Sequence, residues 1–326
     1  MLKVDHLTTA YRTLEGNVIA VEDVDFEIQD NEIFGIAGES GCGKSTLLKS
    51  LYDIIQYPLV VEKGQVILSG QKNGQPFAYR TGEIQKSWWQ NIAYVPQAAM
   101  SVLNPISKLR NQFLDSLPMQ RRNRKTEREL LEHVSAFLEG LNLSPDVLEA
   151  YPFQLSGGMK QRVIIALATF LDPQFILADE PTTALDVVVQ RGILTMLTDY
   201  QKSHHNSLVI VSHDLGVHYQ ITDRIAIMYS GKLVELCPTD EMFTAAKHPY
   251  TQMLIDALPR VGDRRERVGI EGTPPSLRNP PPGCRFAPRC RYASDVCRRF
   301  VPEFREISPG HFAACHLLNN PTKGVI

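Results

Sequence analysis

The chain has 326 residues, of which 43% are hydrophobic and 21% charged, and its formal net charge is −2 at pH 7. This is the composition of a globular protein with room for about two domains, and a charge so near zero gives no general reason to expect a nucleic acid partner. The N-terminus lacks the basic start and apolar core of a signal peptide, and the longest apolar run, Val163–Leu171, is too short for a bilayer span of about 20 residues. We therefore expect a cytosolic protein, in which clustered cysteines indicate metal binding before disulfides.

The first predicted elements are two antiparallel strands, followed by a strand, a glycine-rich loop and a helix. Residues 2–11 (LKVDHLTTAY) and 18–28 (VIAVEDVDFEI) alternate apolar and polar side chains, which is the period of a half-buried strand. Residues 31–38 (NEIFGIAG) form a short apolar run that ends in glycine, and residues 44–55 (KSTLLKSLYDII) have helical periodicity. The order of strand, glycine loop and helix is typical of phosphate-binding sites.

The middle of the chain, about residues 101–170, is predicted to be mainly helical. After it, strands and helices alternate, which predicts a parallel sheet covered on both faces and hence an α/β fold. Thr273–Pro282 contains five prolines and marks a boundary before a cysteine-rich segment. The alternating segments are a strand at 175–180, a helix at 187–201, a strand at 207–212, a helix at 215–222 and a strand at 224–229.

Residues 38–45 (GESGCGKS) fit the phosphate-loop pattern G-x-x-x-x-G-K-[ST]. The glycines allow backbone N–H groups to converge on phosphate oxygens, and a helix that begins near Lys44 adds its positive end. We expect Lys44 to reach the β- and γ-phosphates of ATP and the Ser45 hydroxyl to bind Mg²⁺. A chance match is the alternative, expected in roughly one chain in a hundred of this length. The predicted nucleotide-binding residues of the loop are Gly38, Ser40, Gly41, Cys42, Gly43, Lys44, Ser45 and Thr46.

Two acids end the apolar run FILADE and add a second element of the same chemistry. The carboxyl end of a strand in a parallel sheet is where catalytic side chains are presented. We expect Asp179 to hold Mg²⁺, directly or through water, and Glu180 to act as the general base for the attacking water. Two solvated acids at a strand end are the alternative, which becomes the minor one beside a phosphate loop.

The segment LSGGM, Leu155–Met159, opens the run KQRVIIALATFL and supplies another anion site. Ser156 is a natural N-cap, and Gly157 and Gly158 leave backbone N–H groups free to bind an anion. With both anion sites in one chain, the sequence resembles the ATP-binding subunits of ABC transporters, whose signature loop is usually LSGGQ; here Met159 replaces the last residue. The resemblance implies a cassette with a RecA-like parallel sheet core that carries the phosphate loop, an N-terminal antiparallel β subdomain and a helical signature subdomain.

The resemblance covers nearly the whole chain and implies further roles. Tyr11 resembles the aromatic residue that stacks on adenine, although a core tyrosine is the alternative without the family context. Gln97 resembles the Q-loop residue that contacts Mg²⁺ and the water, Asp186 ends a segment that resembles the D-loop, and His213 resembles the switch histidine that contacts the γ-phosphate. In this family the signature loop of one subunit closes over ATP held by another, so a complete ATPase requires two cassettes.

Three segments resemble the oligopeptide and dipeptide importers of this family: AAMSVLNP after Gln97, HPYT at His248–Thr251 and GCRFAPRC at Gly283–Cys290. The resemblance implies an energy-coupling subunit at the cytoplasmic face of the cell membrane. Its partners would be a second cassette (a paralogue or a copy), two membrane permease subunits and an extracytoplasmic substrate-binding protein, with no nucleic acid. Importers of nickel or oligosaccharides are the alternative, and a non-transport ATPase acting on ribosomes or DNA is disfavoured because such proteins usually carry two cassettes or long coiled-coil inserts.

Four of the six cysteines lie near the C-terminus, separated by five, six and seventeen residues. Four thiolates can bind Zn²⁺ or a [4Fe–4S] cluster, and the five arginines and one acid between Cys284 and Phe300 would offset the negative charge of either. The spacing lacks the close C-x₂₋₄-C pairs of zinc sites, and the resemblance adds that some peptide-importer cassettes carry an iron–sulfur cluster. We expect a [4Fe–4S] cluster, with zinc or four free thiols as alternatives, and its ligands would be Cys284, Cys290, Cys297 and Cys315.

The predicted domains are a cassette over residues 1–255, with its helical subdomain at about 101–170, and a C-terminal extension over residues 256–326. A bound cluster would fold this extension, because the segment is too small and too rich in proline to build its own core. We expect Cys290→Ser to unfold the C-terminal extension and to leave ATP binding at Lys44 largely unchanged.

Overall fold

The computed structural model describes residues 1–72, 75–97, 102–116, 123–183, 185–258 and 269–319. The chain forms two compact units, the first from Met1–Lys86 with Val209–Ile326 and the second from Ser87–Leu208. No helix in the described ranges is both long and apolar enough to cross a lipid bilayer. The first unit thus contains both the phosphate loop and the described part of the C-terminal extension, while the limits of the predicted domains stay predictions.

The secondary structure begins with a strand-rich part and continues with alternating strands and helices. The first part comprises β1 (Leu2–Thr13), β2 (Gly16–Ile28), β3 (Ile33–Ala37), α1 (Lys44–Leu51), β4 (Leu59–Lys72) and β5 (Gln75–Arg80). The middle comprises β6 (Ile92–Val95), α2 (Leu109–Leu114), α3 (Arg124–Gly140), α4 (Gly157–Thr169), β7 (Phe175–Asp179) and α5 (Val187–His204). The last part comprises β8 (Ser207–Ser212), α6 (Leu215–Ile221), β9 (Arg224–Tyr229), β10 (Lys232–Pro238), α7 (Thr239–Ala245), α8 (Pro249–Asp256), α9 (Asp295–Arg299), β11 (Arg305–Ser308) and β12 (His311–Ala313).

The N-terminal strands of the first unit form an antiparallel sheet in the order β2-β1-β4-β5. Leu2 of β1 lies opposite Ile28 on one side and Leu68 on the other, and all three side chains are buried. Apolar residues that alternate along a strand point to one face of the sheet, so this face forms a core while the other meets solvent. The predicted antiparallel pair is confirmed, and β4 and β5 extend it.

The buried sheet of the first unit has the order β11-β12-β10-β9-β3-β8. Strands β3 and β9 are parallel, with Phe34 opposite Arg224, and every residue of β3 is buried. Because a parallel sheet is covered on both faces, its strands are continuous apolar runs rather than alternating ones. The α/β class, with a parallel core and a separate antiparallel sheet, is therefore confirmed.

The described part of the C-terminal extension packs into the first unit. Its hairpin, β11 with β12, continues the buried sheet, and Ala313 lies opposite Glu235 of β10. Phe286 is 1% exposed, and its ring centroid lies 5.2 Å from that of Tyr229 and 5.3 Å from that of Tyr250. Buried aromatic side chains contribute strongly to core energetics. The extension therefore shares a hydrophobic core with the cassette, a source of stability that the sequence did not reveal.

The second unit contains the helices of the middle of the chain together with the parallel strands β6 and β7. Asn123 begins α3 with a capping box, and its buried residues Leu130, Val134 and Leu138 recur every four positions. This spacing places one face of the helix in the core of the unit. The described part of residues 101–170 is mainly helical, as predicted, while the limits of a subdomain there stay a prediction.

Candidate active site

The phosphate loop joins β3 to α1 and depends on glycine at two crowded positions. Gly38 has a φ of 150° and Gly43 a φ of 109°, which are conformations that residues with a side chain rarely adopt. A Cβ at Gly38 would lie 2.2 Å from the carbonyl oxygen of Met228, and one at Gly43 would lie 2.3 Å from that of Ala20. The neighbouring backbone thus leaves no room for a side chain, and the loop can turn tightly enough to direct its N–H groups inward.

Lys44 spans this loop from the start of α1. Its Nζ donates hydrogen bonds to the carbonyl oxygens of Gly38 at 2.8 Å and of Glu39 at 3.0 Å, and the residue is 5% exposed. These bonds hold the ammonium group against the backbone of the glycine loop, where a lysine of a phosphate loop is expected to meet phosphate. Burial raises the pKa of the Cys42 thiol, against the effect of the nearby Lys44, so this loop cysteine is a neutral packing residue.

Tyr11 and His213, the other predicted nucleotide contacts of the first unit, lie on different elements. The Tyr11 hydroxyl is 3.1 Å from the Thr46 hydroxyl, which brings this aromatic ring to the phosphate loop. His213 is exposed and follows β8, and the next residue, Asp214, caps α6 by accepting the N–H of Gly216 at 2.8 Å. Their contacts with adenine and γ-phosphate stay predictions.

Two acids end strand β7 in the second unit, as the sequence predicted. Asp179 is 2% exposed and accepts a hydrogen bond from the Tyr94 hydroxyl at 3.1 Å. Burial, together with the Asp179 carboxylate, raises the pKa of Tyr94, so the phenol stays protonated and donates this bond. Tyr94 is a site residue that sequence reasoning missed, because nothing in YVPQ indicates that its hydroxyl would meet an acid 85 positions later.

Glu180 and Gln97 are brought together in the same unit. The Glu180 carboxylate accepts hydrogen bonds from the Gln97 amide at 3.0 Å and from the Thr183 hydroxyl at 2.8 Å. Glu180 itself has a φ of 46°, in the left-handed region that is uncommon for residues other than glycine. Strained backbone of this kind clusters at functional sites, where it aims a side chain that an ordinary conformation would direct elsewhere. The arrangement can hold a carboxylate in one orientation.

The signature segment and the segment that resembles the D-loop meet at the N-termini of α4 and α5, also in the second unit. Ser156 caps α4 by accepting the N–H of Met159 at 3.3 Å, and Asp186 caps α5 by accepting the N–H of Val189 at 2.9 Å. A Cβ on Gly158 would lie 2.7 Å from Cγ1 of Val189, so the two helices touch at this glycine. Sequence reasoning assigned Gly158 to anion binding alone and missed its packing role.

The four cysteines of the C-terminal extension are not close enough to share one zinc ion. Burial, the largest cause, and the neighbouring extension cysteines together raise the pKa of Cys284 to about 11 and that of Cys315 to about 12. Among the described residues, however, no three of these sulfurs lie within 4.8 Å of one another. Tetrahedral zinc with Zn–S bonds of about 2.3 Å holds its sulfurs about 3.8 Å apart. The cysteines are thus neighbours without the geometry of a four-thiolate zinc site.

Two of the five arginines expected to offset the charge of a metal centre form ion pairs with acids outside the extension. Arg285 forms an ion pair with Glu22, and Arg289 forms one with Glu39. Each arginine is adjacent in sequence to an extension cysteine, which favoured a role beside a metal centre. Their side chains instead pair with carboxylates outside the extension. The positive charge available to offset a cluster is therefore smaller than the sequence indicated.

Comparisons with known proteins match both parts of the chain. A family model described as "ABC transporter" matches residues 21–183, and one described as "Oligopeptide/dipeptide transporter, C-terminal region" matches residues 234–297. The chain is 39% identical over 319 residues to a dipeptide transport ATP-binding protein of Caldanaerobacter subterraneus subsp. tengcongensis, with 97% of each chain covered. It is 38% identical over 306 residues to an oligopeptide transport ATP-binding protein of Bacillus subtilis, covering 93% of this chain and 90% of the relative.

Two solved structures resemble the fold of the chain. One is a dimeric structure of a bacterial ABC transporter cassette, with a TM-score of 0.60 and 26% identity, covering 73% of this chain and 99% of that one. The other is a dimeric post-hydrolysis state of an ATP-binding cassette with ADP and phosphate, with a TM-score of 0.59, 25% identity and the same coverage.

Proposed function

The chain belongs to the ATP-binding subunits of the ABC transporter family, and from this premise we propose that it hydrolyses ATP to drive an importer of dipeptides or oligopeptides. The observation that carries the hydrolytic part is the Glu180 carboxylate at the end of β7, held by Gln97 and Thr183. The match of residues 234–297 to the C-terminal region of oligopeptide and dipeptide transporters supports a peptide cargo. Nickel and oligosaccharides remain the alternative cargoes.

In the proposed reaction the phosphate loop binds ATP through its N–H groups and the Lys44 ammonium. Glu180 accepts a proton from a water molecule whose oxygen attacks the γ-phosphorus, and the bond from that phosphorus to the bridging oxygen breaks, so ADP and phosphate leave. Mg²⁺ bound by Ser45, Gln97 and Asp179 would neutralise charge on the β- and γ-phosphates. Hydroxyl, amide and carboxylate oxygens are the ligands that Mg²⁺ prefers, so this set of residues fits the ion.

We propose a second cassette as partner, either a copy or a paralogue. Ser156, Gly157 and Gly158 would contact ATP held by that partner, through N–H groups at the start of the 13-residue helix α4. Dimeric structures among the cassettes that this chain resembles support the proposal. The complete importer would add two membrane permease subunits and an extracytoplasmic substrate-binding protein, with this chain at the cytoplasmic face of the membrane.

We also propose a [4Fe–4S] cluster on Cys284, Cys290, Cys297 and Cys315. The half-buried to buried positions of these cysteines, which lie near enough to raise one another's pKa, support it. A cubane is larger than a zinc ion and accepts more widely spaced sulfurs. The cluster would contribute structural cross-linking to the C-terminal extension. Anaerobic purification followed by visible absorption and iron and sulfide analysis tests it, and a colourless protein with one zinc per chain would exclude the cluster.

Reconstitution tests the transport function. The chain, its partner cassette and the permease subunits would be placed in lipid vesicles with the binding protein inside, and phosphate release would be measured outside. We expect ATP hydrolysis that rises when a mixture of di- and oligopeptides is enclosed, and no rise with nickel or an oligosaccharide. Stimulation by nickel or an oligosaccharide alone would replace the peptide cargo, and the absence of hydrolysis in every case would reject the ATPase.

A further inference from the structure

An ion pair joins the C-terminal extension directly to the phosphate loop. Arg289 precedes Cys290, and its side chain is 5% exposed. One guanidinium nitrogen donates to Oε2 of Glu39 at 2.7 Å and the other to Oε1 at 3.0 Å, so the pair is bidentate. Glu39 is the second residue of the phosphate loop, and 250 positions separate it from Arg289. A paired contact of this kind fixes orientation as well as distance.

The remaining donors of Arg289 hold it in place. Its guanidinium also donates to the Tyr229 hydroxyl at 3.2 Å and to the carbonyl oxygens of Ile270 at 3.1 Å and Glu271 at 2.9 Å. The last two acceptors belong to the C-terminal extension itself. A planar guanidinium with this many partners has one orientation, which a lysine ammonium could not reproduce.

Glu39 is tied at its backbone as well as at its side chain. Its N–H donates to the hydroxyl of Tyr250 on α8 at 3.0 Å, and its carbonyl oxygen accepts from Nζ of Lys44 at 3.0 Å. Any shift of Glu39 therefore moves an acceptor of the lysine that is expected to meet the phosphates. The contact with Arg289 also neutralises a carboxylate that would otherwise repel phosphate from a partly buried position.

A second ion pair connects the extension to the other side of the loop. Arg285, which follows Cys284 and is 6% exposed, donates to the Glu22 carboxylate and to the carbonyl oxygen of Ser230. The next residue, Gly231, donates its N–H to the carbonyl oxygen of Cys42 in the phosphate loop at 2.8 Å. Arg289 thus contacts the phosphate loop directly, and Arg285 contacts a segment that is hydrogen-bonded to it.

We propose that Arg289 is a positioning residue through which the C-terminal extension sets the affinity of the phosphate loop for nucleotide. The proposal rests on the proposed binding of ATP, but not on the presence of a cluster. Where Cys284 and Cys290 hold a cluster, its loss would release the segment between them and weaken nucleotide binding through Arg289. In a chain that holds the cluster, Cys290→Ser should therefore weaken ATP binding, in place of leaving it largely unchanged.

A double-mutant cycle on the full chain tests the proposal, with the dissociation constant of a fluorescent ATP analogue in Mg²⁺ as the readout. Arg289→Met leaves Glu39 as an unpaired negative charge, and we expect affinity to fall about tenfold. Glu39→Gln in the same chain removes that charge, so the double variant should return to within about threefold of wild type. Arg298→Met is the matched control, because it breaks an ion pair in the same extension whose partner Asp295 is 84% exposed. An exposed pair contributes little, so the affinity for the analogue should not change.

The outcomes separate this proposal from the proposed function. If the wild-type chain does not bind the analogue, the proposed ATP binding is rejected. If wild type binds and Arg289→Met binds equally well, the positioning role is overturned. If the two single changes weaken binding additively, with no recovery in the double variant, the coupling is likewise overturned. Should Arg289→Met not fold, Arg289→Lys takes its place, because lysine keeps the charge and loses the paired geometry. Binding that is about threefold weaker at an unchanged melting temperature supports the proposal. Unchanged affinity overturns it.

Discussion

The phosphate loop and the C-terminal extension belong to one compact unit but are specified in opposite ways. The loop is a run of eight residues, 38–45, whose shape follows from glycines at φ values of 150°, 77° and 109°. The extension cysteines are dispersed from Cys284 to Cys315, and their neighbourhood depends on the packing of Phe286 against Tyr229. A contiguous motif carries its geometry in the backbone, whereas a dispersed one obtains its geometry from tertiary packing.

Glu180→Gln should have the largest effect on ATP turnover, because it removes the proposed general base. The side-chain oxygen of glutamine can still accept the hydrogen bonds from Gln97 and Thr183. We expect ATP turnover to fall by a factor of about 10² or more while ATP still binds, since an amide cannot accept the proton of water. Phosphate release and equilibrium ATP binding by the assembled cassettes measure this. Glu149→Gln, at an exposed acid of the same unit, is the control. Near-normal hydrolysis by the Glu180 variant would remove Glu180 from the base role.

Gly43→Ala tests whether the backbone conformation of the loop itself sets the geometry of the phosphate site. Its Cβ would approach the Ala20 carbonyl oxygen to 2.3 Å at a φ of 109°, so we expect nucleotide binding to weaken roughly 50-fold. Gly41→Ala is the matched control, because φ is 77° there and no atom lies within 4 Å of the added Cβ. Binding should weaken less in this control, and equal losses would show that backbone conformation alone, rather than the crowding, requires glycine.

His311 of the extension is buried between two acids, Glu235 and Glu241, and its substitution measures how much this contact contributes to stability. Its ring nitrogens lie 2.8 Å from the Glu235 carboxylate and 2.7 Å from that of Glu241. Burial lowers the pKa of His311, but the hydrogen bonds to these acids outweigh it, and the pKa is raised above 6.5. The resulting stability is fully present below pH 6.5 and is lost as pH rises through the folded-state pKa.

His311→Gln should therefore lower the free energy of unfolding by about 2 kcal/mol at pH 6, and by less at pH 9. Urea unfolding at both values measures the difference. His6→Gln is the control, because the pair of His6 with Asp23 is 71% and 64% exposed and should contribute little. A loss that does not depend on pH would show that the imidazole contributes by packing rather than by charge.

Ser156→Ala should have the smallest effect on stability, since within the chain it removes only the N-cap of α4. We expect the free energy of unfolding to fall by about 1 kcal/mol, as for other serine caps. Ser203→Ala, at the C-terminal end of α5, should stay within about 0.5 kcal/mol of wild type. Chemical denaturation of both variants makes the comparison. If Ser156→Ala is as stable as wild type, then the serine of the signature segment does not stabilise the helix, and only its contact with the partner's nucleotide remains as a role.

Sequence patterns were sufficient to predict the elements that are stabilised by interactions between neighbours in the chain. The phosphate loop, the acids at the end of β7 and the capped start of α4 each lie within a few consecutive residues. Their geometry follows from glycine conformations, strand periodicity and capping hydrogen bonds, all of which depend on neighbours in the chain. The same reasoning missed Tyr94 and the packing of Gly158 against Val189, because each joins segments that no local pattern relates.

By itself the sequence determined the fold class, the phosphate loop and the two acids at the end of β7 that we propose for catalysis. Only the tertiary structure decided that Gln97 meets Glu180 across 83 positions, that Arg289 meets Glu39 across 250, and that the extension cysteines approach one another without closing a zinc geometry. Local conformational preferences limit each residue to a few backbone states, and these can be read from a short window. A contact between distant side chains forms only where burial of shared apolar surface brings their elements together, as Phe286 does for Arg289.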